Sequence, residues 1–519
     1  MNIRLQYISV AVTILLRTVS SSKILGVFFM PSKSHFTLGN SLARGLAEAG
    51  HDVTLINLFG DDQPLPKNGS YRDIVLTGLL DDFLSSRKIS PTEMNTSSFM
   101  QPFIFNTKML GLIEKAIKHP EFLNLVNSNE TFDVVIVEQF ANDVCKYLAP
   151  YFDAELIVFS PIGTYPTINN MVGNPTMVSF TPGAFSKYRG RMKFFDRVHN
   201  TLIYILEEVL HEFVFLQNQE RLLHKYFSNS TNIRNLFYNV SLVLLNSHES
   251  IWQPVPQVPN MIQIGGYHVQ PPKKLPKDIQ VFLDNAEDGV IFFSMGSYLK
   301  STEFPVSKRN ALLAAFAQLK EKVLWKWEDE VLPGQPSNVK TAKWLPQNDI
   351  LAHPNVKLFI THGGLLSSIE TIYHGVPVLA FPVFGDQSTN AHNGFKNGYA
   401  LVLPFKDPDF SEKKIYSLLR ELLDNPKYRE NAKRRSMIFH DRPMKPMDAA
   451  VYWVEYVIRH KGARHLRVDG LDMPWYQYFL VDVIAFLFMS LSLVLSVFLI
   501  FVRLVVKSLT GKSKKVKRS

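Results

Sequence analysis

The segment from Trp344 to Gln387 places an aromatic ring, an imidazole, a carboxylate and an Asp-Gln pair around one strand, turn and helix. His362 and the two glycines after it separate an apolar run of strand type, residues 356–360, from a predicted helix. Glycines allow close approach of the backbone, and the N-terminus of a helix favours an anion such as a diphosphate. Glu370 follows His362 by slightly more than two helical turns and can accept hydrogen bonds from ribose hydroxyls, while Trp344 offers a face for a base. These groups together suit a sugar nucleotide.

Another polar pair closes the same segment. Residues 375–382 are expected to form a turn and a buried strand, which would deliver Asp386 and Gln387 to its carboxyl end. A carboxylate beside an amide can bind neighbouring sugar hydroxyls. Taken singly, a histidine after a strand is usually structural and a glutamate on a helix is usually solvated. The functional interpretation therefore depends on the order and spacing of the whole set.

The complete segment resembles the UDP-glycosyltransferases that act on small lipophilic acceptors, including the membrane-bound animal UDP-glucuronosyltransferases. The resemblance extends in outline from Lys23 to the C-terminus. It implies an α/β fold of GT-B type, in which two Rossmann-like domains face each other across a cleft, with a C-terminal transmembrane helix. Many relatives have Asn where this chain has Leu366, and the Leu-Leu-Ser-Ser form is more similar to the insect branch. The resemblance implies that the UDP-sugar is bound by Ser297, Trp344, Gln347, His362, Gly364, Ser367, Glu370, Asp386 and Gln387.

Individual roles also follow from the resemblance. Trp344 is similar to the residue that stacks on uracil, and Gln347 to the neighbour that reads the edge of the base. His362 and Ser367 are similar to diphosphate contacts. Glu370 takes the place of the ribose carboxylate, and the Asp-Gln pair holds the hexose.

A catalytic base is expected on the other side of the cleft. His35 follows the first predicted strand, residues 23–30, where open α/β sheets place functional loops, and histidine is the side chain suited to proton removal near neutrality. The family's Ser-His at this place carries the base. A carboxylate commonly orients such a histidine. Asp143 is the expected partner, and Glu138, at the end of the strand predicted at 132–137, is the alternative.

The resulting mechanism is an inverting displacement. His35 would take the acceptor hydroxyl proton, the oxygen would attack the anomeric carbon in line, and UDP would leave with its charge held by the helix N-terminus, His362 and Ser297. A metal-dependent transferase would need an Asp-x-Asp at a strand end to hold a divalent cation. The one such spacing in the sequence, Asp-Pro-Asp at 407–409, lies downstream of the main motif and is explained more simply by a proline turn, so no metal is expected. No cofactor is expected either, because the UDP-sugar is a co-substrate.

Donor and acceptor are less closely defined. The insect-like features favour UDP-glucose, and UDP-glucuronate remains open. Residues 164–215 are rich in Met, Phe, Val and Leu, which is typical of helices that line an apolar acceptor pocket, rest on a membrane or pack in a core. A phenol, xenobiotic, steroid or pigment would suit such a pocket.

Length predicts two domains, because 519 residues exceed one ordinary core. Alternating strands and helices predict an N-terminal α/β domain over residues 23–253, and the resemblance implies that this domain binds the acceptor. A proline-rich stretch, residues 254–276, is the predicted linker. Residues 277–470 form the second predicted α/β domain. The resemblance implies that this domain binds the UDP-sugar and ends in a helix that crosses back to the first half.

The two ends carry targeting features. Residues 1–22 combine a basic residue, an apolar stretch and small residues, as in a cleaved signal peptide. Residues 483–502 are twenty uncharged, mostly apolar residues, which predicts a transmembrane helix, and the basic tail 503–519 predicts a cytosolic end. Lys515 and Lys517 resemble a dilysine signal for the endoplasmic reticulum, with simple positive-inside charge as the alternative. These ends hold nine of the formal net charge of +10, so the basic balance does not indicate nucleic acid.

A lumenal main body is also consistent with its glycosylation sequons. Cys145 is the single cysteine, which excludes an internal disulfide even though the lumen is an oxidising compartment. Sequons for N-glycosylation begin at Asn68, Asn95, Asn129, Asn229 and Asn239.

Two other classes of function were weighed. A non-catalytic lumenal binding protein on this fold would tolerate loss of His35, which the chain retains. A nicotinamide oxidoreductase would need a G-x-G-x-x-G after the first strand, and that turn lacks it. The expected partners are a UDP-sugar, a small lipophilic acceptor and membrane lipid, with a homo-oligomer left open.

Overall fold

Two parallel sheets form the main body of the chain. The computed structural model describes residues 21–85, 101–181 and 191–515. The strands are β1 Lys23–Val27, β2 Asp52–Asn57, β3 Ser70–Val75, β4 Val134–Glu138, β5 Glu155–Ser160, β6 Leu242–Leu245, β7 Met261–Gln263, β8 Val290–Ser294, β9 Lys322–Lys326, β10 Val339–Ala342, β11 Val356–Thr361, β12 Val378–Ala380 and β13 Ala400–Val402. Among the described residues, the first sheet has the order β3-β2-β1-β4-β5-β6-β7 and the second the order β10-β9-β8-β11-β12-β13. Neighbouring strands are parallel throughout both sheets.

Continuous apolar runs explain the central strands. β4, with the sequence VVIVE, is buried at every position, as is β8, because helices cover both faces of each parallel sheet. The helices of this body are α1 Lys33–Glu48, α2 Leu79–Ser85, α3 Gln101–Ile117, α4 Pro120–Val126, α5 Leu148–Tyr151, α6 Pro166–Met171, α7 Phe194–Leu210, α8 Leu216–Tyr226, α9 Ile233–Tyr238, α10 Lys277–Asp284, α11 Val306–Ala317, α12 Gln347–Leu351, α13 Leu365–His374, α14 Gln387–Lys396, α15 Glu412–Asp424, α16 Pro426–His440 and α17 Pro446–Arg459. A π-helical turn, His211–Phe215, joins α7 to α8, and 3-10 turns lie at Asp143–Tyr147, Ser301–Glu303 and Arg464–Leu466.

Each sheet reverses its strand order beside one central strand. In the first sheet β1 lies between β2 and β4, and in the second sheet β8 lies between β9 and β11. At such a switch point the loops after the two neighbouring strands run in opposite directions and leave a crevice at their carboxyl ends, where α/β proteins bind ligands. The loops after β1, β4, β8 and β11 are therefore the places to look for a site.

Helix α17 lies where the return helix was predicted. Its buried side chains Ala450, Val454 and Val457 pack into the core on the α1 face of the first sheet. The segment predicted as linker, residues 254–276, is only partly a linker, because β7 within it extends the first sheet beside β6. Three residues of regular pairing are enough to form this edge strand despite the high proline content around it.

The chain from Arg467 onward forms a second compact unit. Its helices are α18 Trp475–Tyr478 and α19 Val481–Lys515, and a 3-10 turn lies at Asp469–Asp472. Within α19, Val481–Thr510 is long and apolar enough to cross a membrane, with a mean hydropathy of 2.8. This range contains the predicted span and extends beyond it at both ends. Residues 1–20 of the predicted signal peptide, the sequon at Asn95 and the last four residues of the tail lie outside the described residues.

Candidate active site

His35 and Glu138 meet at the switch point of the first sheet. His35 lies in the first turn of α1, just after β1, and Glu138 is the last residue of β4, which pairs with β1. The distance from His35 Nδ1 to Glu138 Oε1 is 2.6 Å. The Glu138 side chain is 1% exposed, whereas that of His35 is 16% exposed. Because Nδ1 is held by the carboxylate, Nε2 is the ring nitrogen available to take a proton.

The structure corrects the expectation that Asp143 supports His35. Asp143 opens the 3-10 turn after β4, where its Oδ1 accepts hydrogen bonds from Lys146 Nζ and, at 3.0 Å, from Gln139 Nε2. Lys146 is fully buried. Burial opposes ionisation of Asp143, but the adjacent Lys146 ammonium holds the pKa of that carboxyl below its usual range. Asp143 therefore belongs to a buried ion pair, and the alternative, Glu138, occupies the place beside His35.

The switch point of the second sheet carries His362. The loop after β8 turns at Gly296, whose φ is +81°, and a Cβ there would lie 2.6 Å from His362 Cε1. A Cβ on Gly364 would lie 2.5 Å from His362 Nε2, so this ring packs between two glycines. Burial, with help from Lys326, lowers the pKa of His362 to about 4. The imidazole is neutral at pH 7 and can donate one N-H to an anion at the start of α13. Ser297 follows Gly296 and is exposed in the same loop.

Lys326 is a cation of this site that the sequence analysis did not identify. It ends β9, and its Nζ donates to the Gly296 carbonyl at 2.6 Å. Its charge is close enough to help to lower the pKa of His362. Glu328 Oε1 is 3.7 Å away, so the ammonium is only partly neutralised. The available signal was a lysine at the carboxyl end of a strand next to β8, but β9 was not among the predicted strands.

Three of the predicted UDP-binding residues form one hydrogen-bonded cluster, which brings Ser367, predicted as a diphosphate contact, beside the residues predicted for the base and the ribose. Gln347 Nε2 donates to Ser367 Oγ at 3.0 Å and to Glu370 Oε2. Gln347 begins α12, while Ser367 and Glu370 lie on α13. Burial raises the pKa of Glu370 to about 7, with the Gln347 hydrogen bond opposing the shift. Trp344, which precedes α12, is 72% exposed and presents its ring to solvent, as a stacking platform requires.

The Asp-Gln pair lies after β12, at the start of α14. Asp386 Oδ2 accepts from Asn390 Nδ2 at 2.7 Å, and the same amide donates to the Gly363 carbonyl at 2.9 Å. Gln387 Oε1 accepts from the backbone N-H groups of Val383 and Phe384, at 2.9 and 3.1 Å. The Gln387 carbonyl thus shapes the turn, which leaves its amide NH₂ as the group to meet a sugar hydroxyl.

The two sheets bring His35 and Asp386 within electrostatic range of each other. Burial raises the pKa of Asp386, while the hydrogen bond from Asn390 and the proximity of His35 oppose that shift. His35 comes from the first sheet and Asp386 from the second. The predicted base of one half therefore lies near the predicted hexose contact of the other, as a transfer across a cleft would require.

Known proteins resemble this chain over most of its length. A family model described as "UDP-glucoronosyl and UDP-glucosyl transferase" matches residues 82–517. UDP-glycosyltransferase UGT5 of Dactylopius coccus is 40% identical over 490 residues, which cover 92% of this chain and 91% of that protein. UDP-glucosyltransferase 2 of the same organism is 34% identical, with 98% of each chain covered. UDP-glucuronosyltransferase 2C1 of Oryctolagus cuniculus is 31% identical, with 88% of this chain and 92% of that protein covered.

Solved structures show the same architecture. A UDP-glucose:anthocyanidin 3-O-glucosyltransferase in complex with UDP superposes with a TM-score of 0.56 at 16% identity, covering 85% of this chain and 99% of that chain. At this identity the likeness concerns the fold. The glycosyltransferase of kitacinnamycin gives a TM-score of 0.54 over the same share of this chain. The predicted two-domain α/β fold is confirmed, and the chain belongs to the UDP-glucuronosyl and UDP-glucosyl transferase family, as a UDP-glycosyltransferase of GT-B type.

Proposed function

We propose that the chain transfers glucose from UDP-glucose to a hydroxyl group of a small lipophilic acceptor, with inversion at the anomeric carbon and without a metal ion. The observation that carries this proposal is the His35–Glu138 pair facing Asp386 across the cleft. A base on one side and a hexose-binding carboxylate on the other leave room for a hydroxyl to attack the anomeric carbon from the face opposite UDP. Phenols, hydroxylated xenobiotics, steroids and pigments are the acceptor classes proposed.

The proposed reaction assigns each proton and charge transfer to a group of the site. The acceptor oxygen loses its proton to His35 Nε2 while it forms the bond to the anomeric carbon. The bond between the anomeric carbon and the β-phosphate oxygen breaks at the same time, and its electron pair stays on the departing UDP. Glu138, bound to Nδ1, stabilises the imidazolium that results. The departing diphosphate gains charge next to the Lys326 ammonium, the His362 N-H and the N-terminus of α13. These protein groups supply positive potential at the place where a divalent cation would otherwise act.

The choice of donor rests on a finer comparison. The Dactylopius coccus relative named as a glucosyltransferase is 34% identical over nearly the whole chain, and the Oryctolagus cuniculus relative named as a glucuronosyltransferase is 31% identical. UDP-glucuronate is therefore the second candidate donor. The difference in identity is small, so donor competition has to decide between them.

The test uses microsomes that contain the full chain. UDP-glucose and UDP-glucuronate are offered with a panel of phenols, and the product is measured by mass and by its anomeric configuration. We expect a β-glucoside whose formation survives chelation of divalent ions and is lost in His35→Ala. His224→Ala, at an exposed histidine of α8, is the matched control and should retain activity. An α-linked product, a requirement for a divalent ion or an active His35→Ala variant would each contradict the mechanism. Glucuronide as the main product would contradict the donor alone.

We also propose that the main body lies in the lumen of the endoplasmic reticulum, with the basic tail in the cytosol. The order of an apolar span followed by basic residues supports this orientation. The sequon asparagines that the structure describes, at 68, 129, 229 and 239, are all exposed, so an oligosaccharide transferase could reach them. Enzymatic removal of N-glycans from the protein produced in cells should lower its apparent molecular mass on a denaturing gel. An unchanged mobility would contradict this orientation.

A further inference from the structure

Helix α7 exposes its apolar side to solvent. Eight large apolar side chains along α7 and the turn after it are between 42% and 81% exposed. Apart from two adjacent pairs, 194/195 and 205/206, they recur every three or four residues and so form one continuous stripe over about five helical turns. We call this the α7 stripe. It consists of Phe194, Phe195, Val198, Leu202, Ile205, Leu206, Val209 and Phe213.

The side of α7 that faces the protein carries polar groups that are hydrogen-bonded or buried. Asn200 is the one residue of α7 that is buried, and its Nδ2 donates to the carbonyls of Val178 and Thr181, at 2.8 and 3.0 Å. Glu208 Oε2 accepts from Asn170 Nδ2 on α6. Burial also raises the pKa of Glu207 to about 7. A helix on the surface of a protein in water has the reverse arrangement, with apolar residues inside and polar residues outside.

We propose that the α7 stripe lies in the interface of a lipid bilayer, as a membrane contact additional to the helix that crosses it. The same chain carries an apolar span of 30 residues, so a bilayer is always within reach of the main body. Three exposed cations, Arg191, Lys193 and Arg197, lie at the N-terminal end of the stripe, where anionic headgroups would meet them.

A bilayer fits the stripe better than a second protein does. A stable protein interface usually needs about 20–30 residues on each side. The stripe is one helix wide, and the further exposed apolar residues Met177 and Phe180 lie in the turn that Asn200 binds. It also lacks the Tyr and Trp anchors that dominate protein interfaces. A narrow band of Phe, Leu, Ile and Val beside cations is typical of a helix that lies in the membrane plane.

A single-site fluorescent label can test this contact in the full chain. The only native cysteine, Cys145, is buried, so Leu202→Cys can be labelled selectively. Val331→Cys, at another exposed apolar residue, is the matched control. The labelled chains are reconstituted in phosphatidylcholine vesicles with a minority of phosphatidylserine and with lipids that carry a nitroxide near the headgroup end of the acyl chain. We expect the nitroxide to quench the label at position 202 several-fold more than the label at position 331.

A charged variant distinguishes the stripe from its surroundings. Phe195→Glu with Leu206→Glu, placed in the Leu202→Cys chain, should reduce quenching to the level at position 331. UDP binding should remain unchanged, which shows that the chain is folded. Equal quenching at positions 202 and 331, or quenching that survives the two glutamates, would overturn the proposal. A crosslink between two chains through position 202 without quenching would assign the stripe to a second copy and would overturn it as well.

Discussion

The affinity for UDP should rise with pH through neutrality because of Glu370. Burial raises the pKa of this carboxyl from 4.5 to about 7. That shift means that about 3 kcal/mol disfavours the charged form in the unliganded site. Hydrogen bonds from two ribose hydroxyls to an ionised carboxylate contribute about 1.5–3 kcal/mol each, which is enough to keep Glu370 charged in the complex. UDP therefore binds the ionised form, and the chain releases a proton when UDP binds below pH 7.

The size of the effect follows from the fraction that is already ionised. With a pKa near 7, about a tenth of Glu370 is charged at pH 6 and about nine-tenths at pH 8, so the dissociation constant should fall about tenfold between them. His362, with a pKa of about 4, is neutral throughout this window and adds no slope. Glu370→Gln keeps a hydrogen-bond acceptor but removes the titration.

The assay is calorimetry of UDP binding to the full chain in detergent micelles, in two buffers of different ionisation enthalpy. The phosphate of UDP titrates equally with wild type and Glu370→Gln, so the difference between the two slopes isolates Glu370. The same slope in both proteins would refute the reasoning. Without UDP the sign reverses, because a raised carboxyl pKa lowers the free energy of unfolding as pH rises from about 4.5 to 7.

Three further predictions concern single groups of the site. Glu138→Gln should lower kcat by about 100-fold or more with little change in UDP affinity. Asp143→Asn should leave kcat of the folded enzyme nearly intact but lower the free energy of unfolding by about 3 kcal/mol, because it leaves the buried Lys146 ammonium without its ion-pair partner. The opposite pattern would restore Asp143 as the partner of His35. Lys326→Met should weaken UDP about tenfold and leave uridine binding unchanged, since the lysine charge lies at the diphosphate end; equal losses for both ligands in a titration would contradict that placement. Gly296→Ala, at a positive φ and against the His362 ring, should cost about 1–3 kcal/mol and raise the donor KM, and kinetics like those of the wild type would show that the loop can adjust.

The choice between Glu138 and Asp143 shows where sequence reasoning stopped. Side chains alternate along β4, so Glu138 points to the same face as Ile136, which shares a core with Leu38 of α1. His35 lies in the first turn of that helix, so Glu138 points toward it. The alternation was visible in the sequence, but the face that α1 covers depends on tertiary packing. Asp143 lies beyond the strand, where the period of two no longer applies.

Other parts of the structure were predictable because their causes are local. The central strands are apolar because they are buried, and the positions beside His362 are glycines because a Cβ there would clash with its ring. Both features can be recognised from a few neighbouring residues. β7 and Lys326 were missed for the opposite reason. β7 is three residues long in a proline-rich stretch, and the role of Lys326 depends on the pairing of β9 with β8, which are far apart along the chain.

Helix α1 is held by both of the segments that connect the two halves. On the outward path the Tyr267 hydroxyl donates to the Leu38 carbonyl at 2.8 Å, and on the return path Met447 packs directly over Gly45. Because both connections contact the same helix, we expect the halves to move relative to each other by rotation about a line near that helix. His35 lies at one end of α1, so we expect it to move little when the cleft opens. The second half would then carry its bound nucleotide toward His35, which stays nearly in place. The reaction would begin once the cleft has closed.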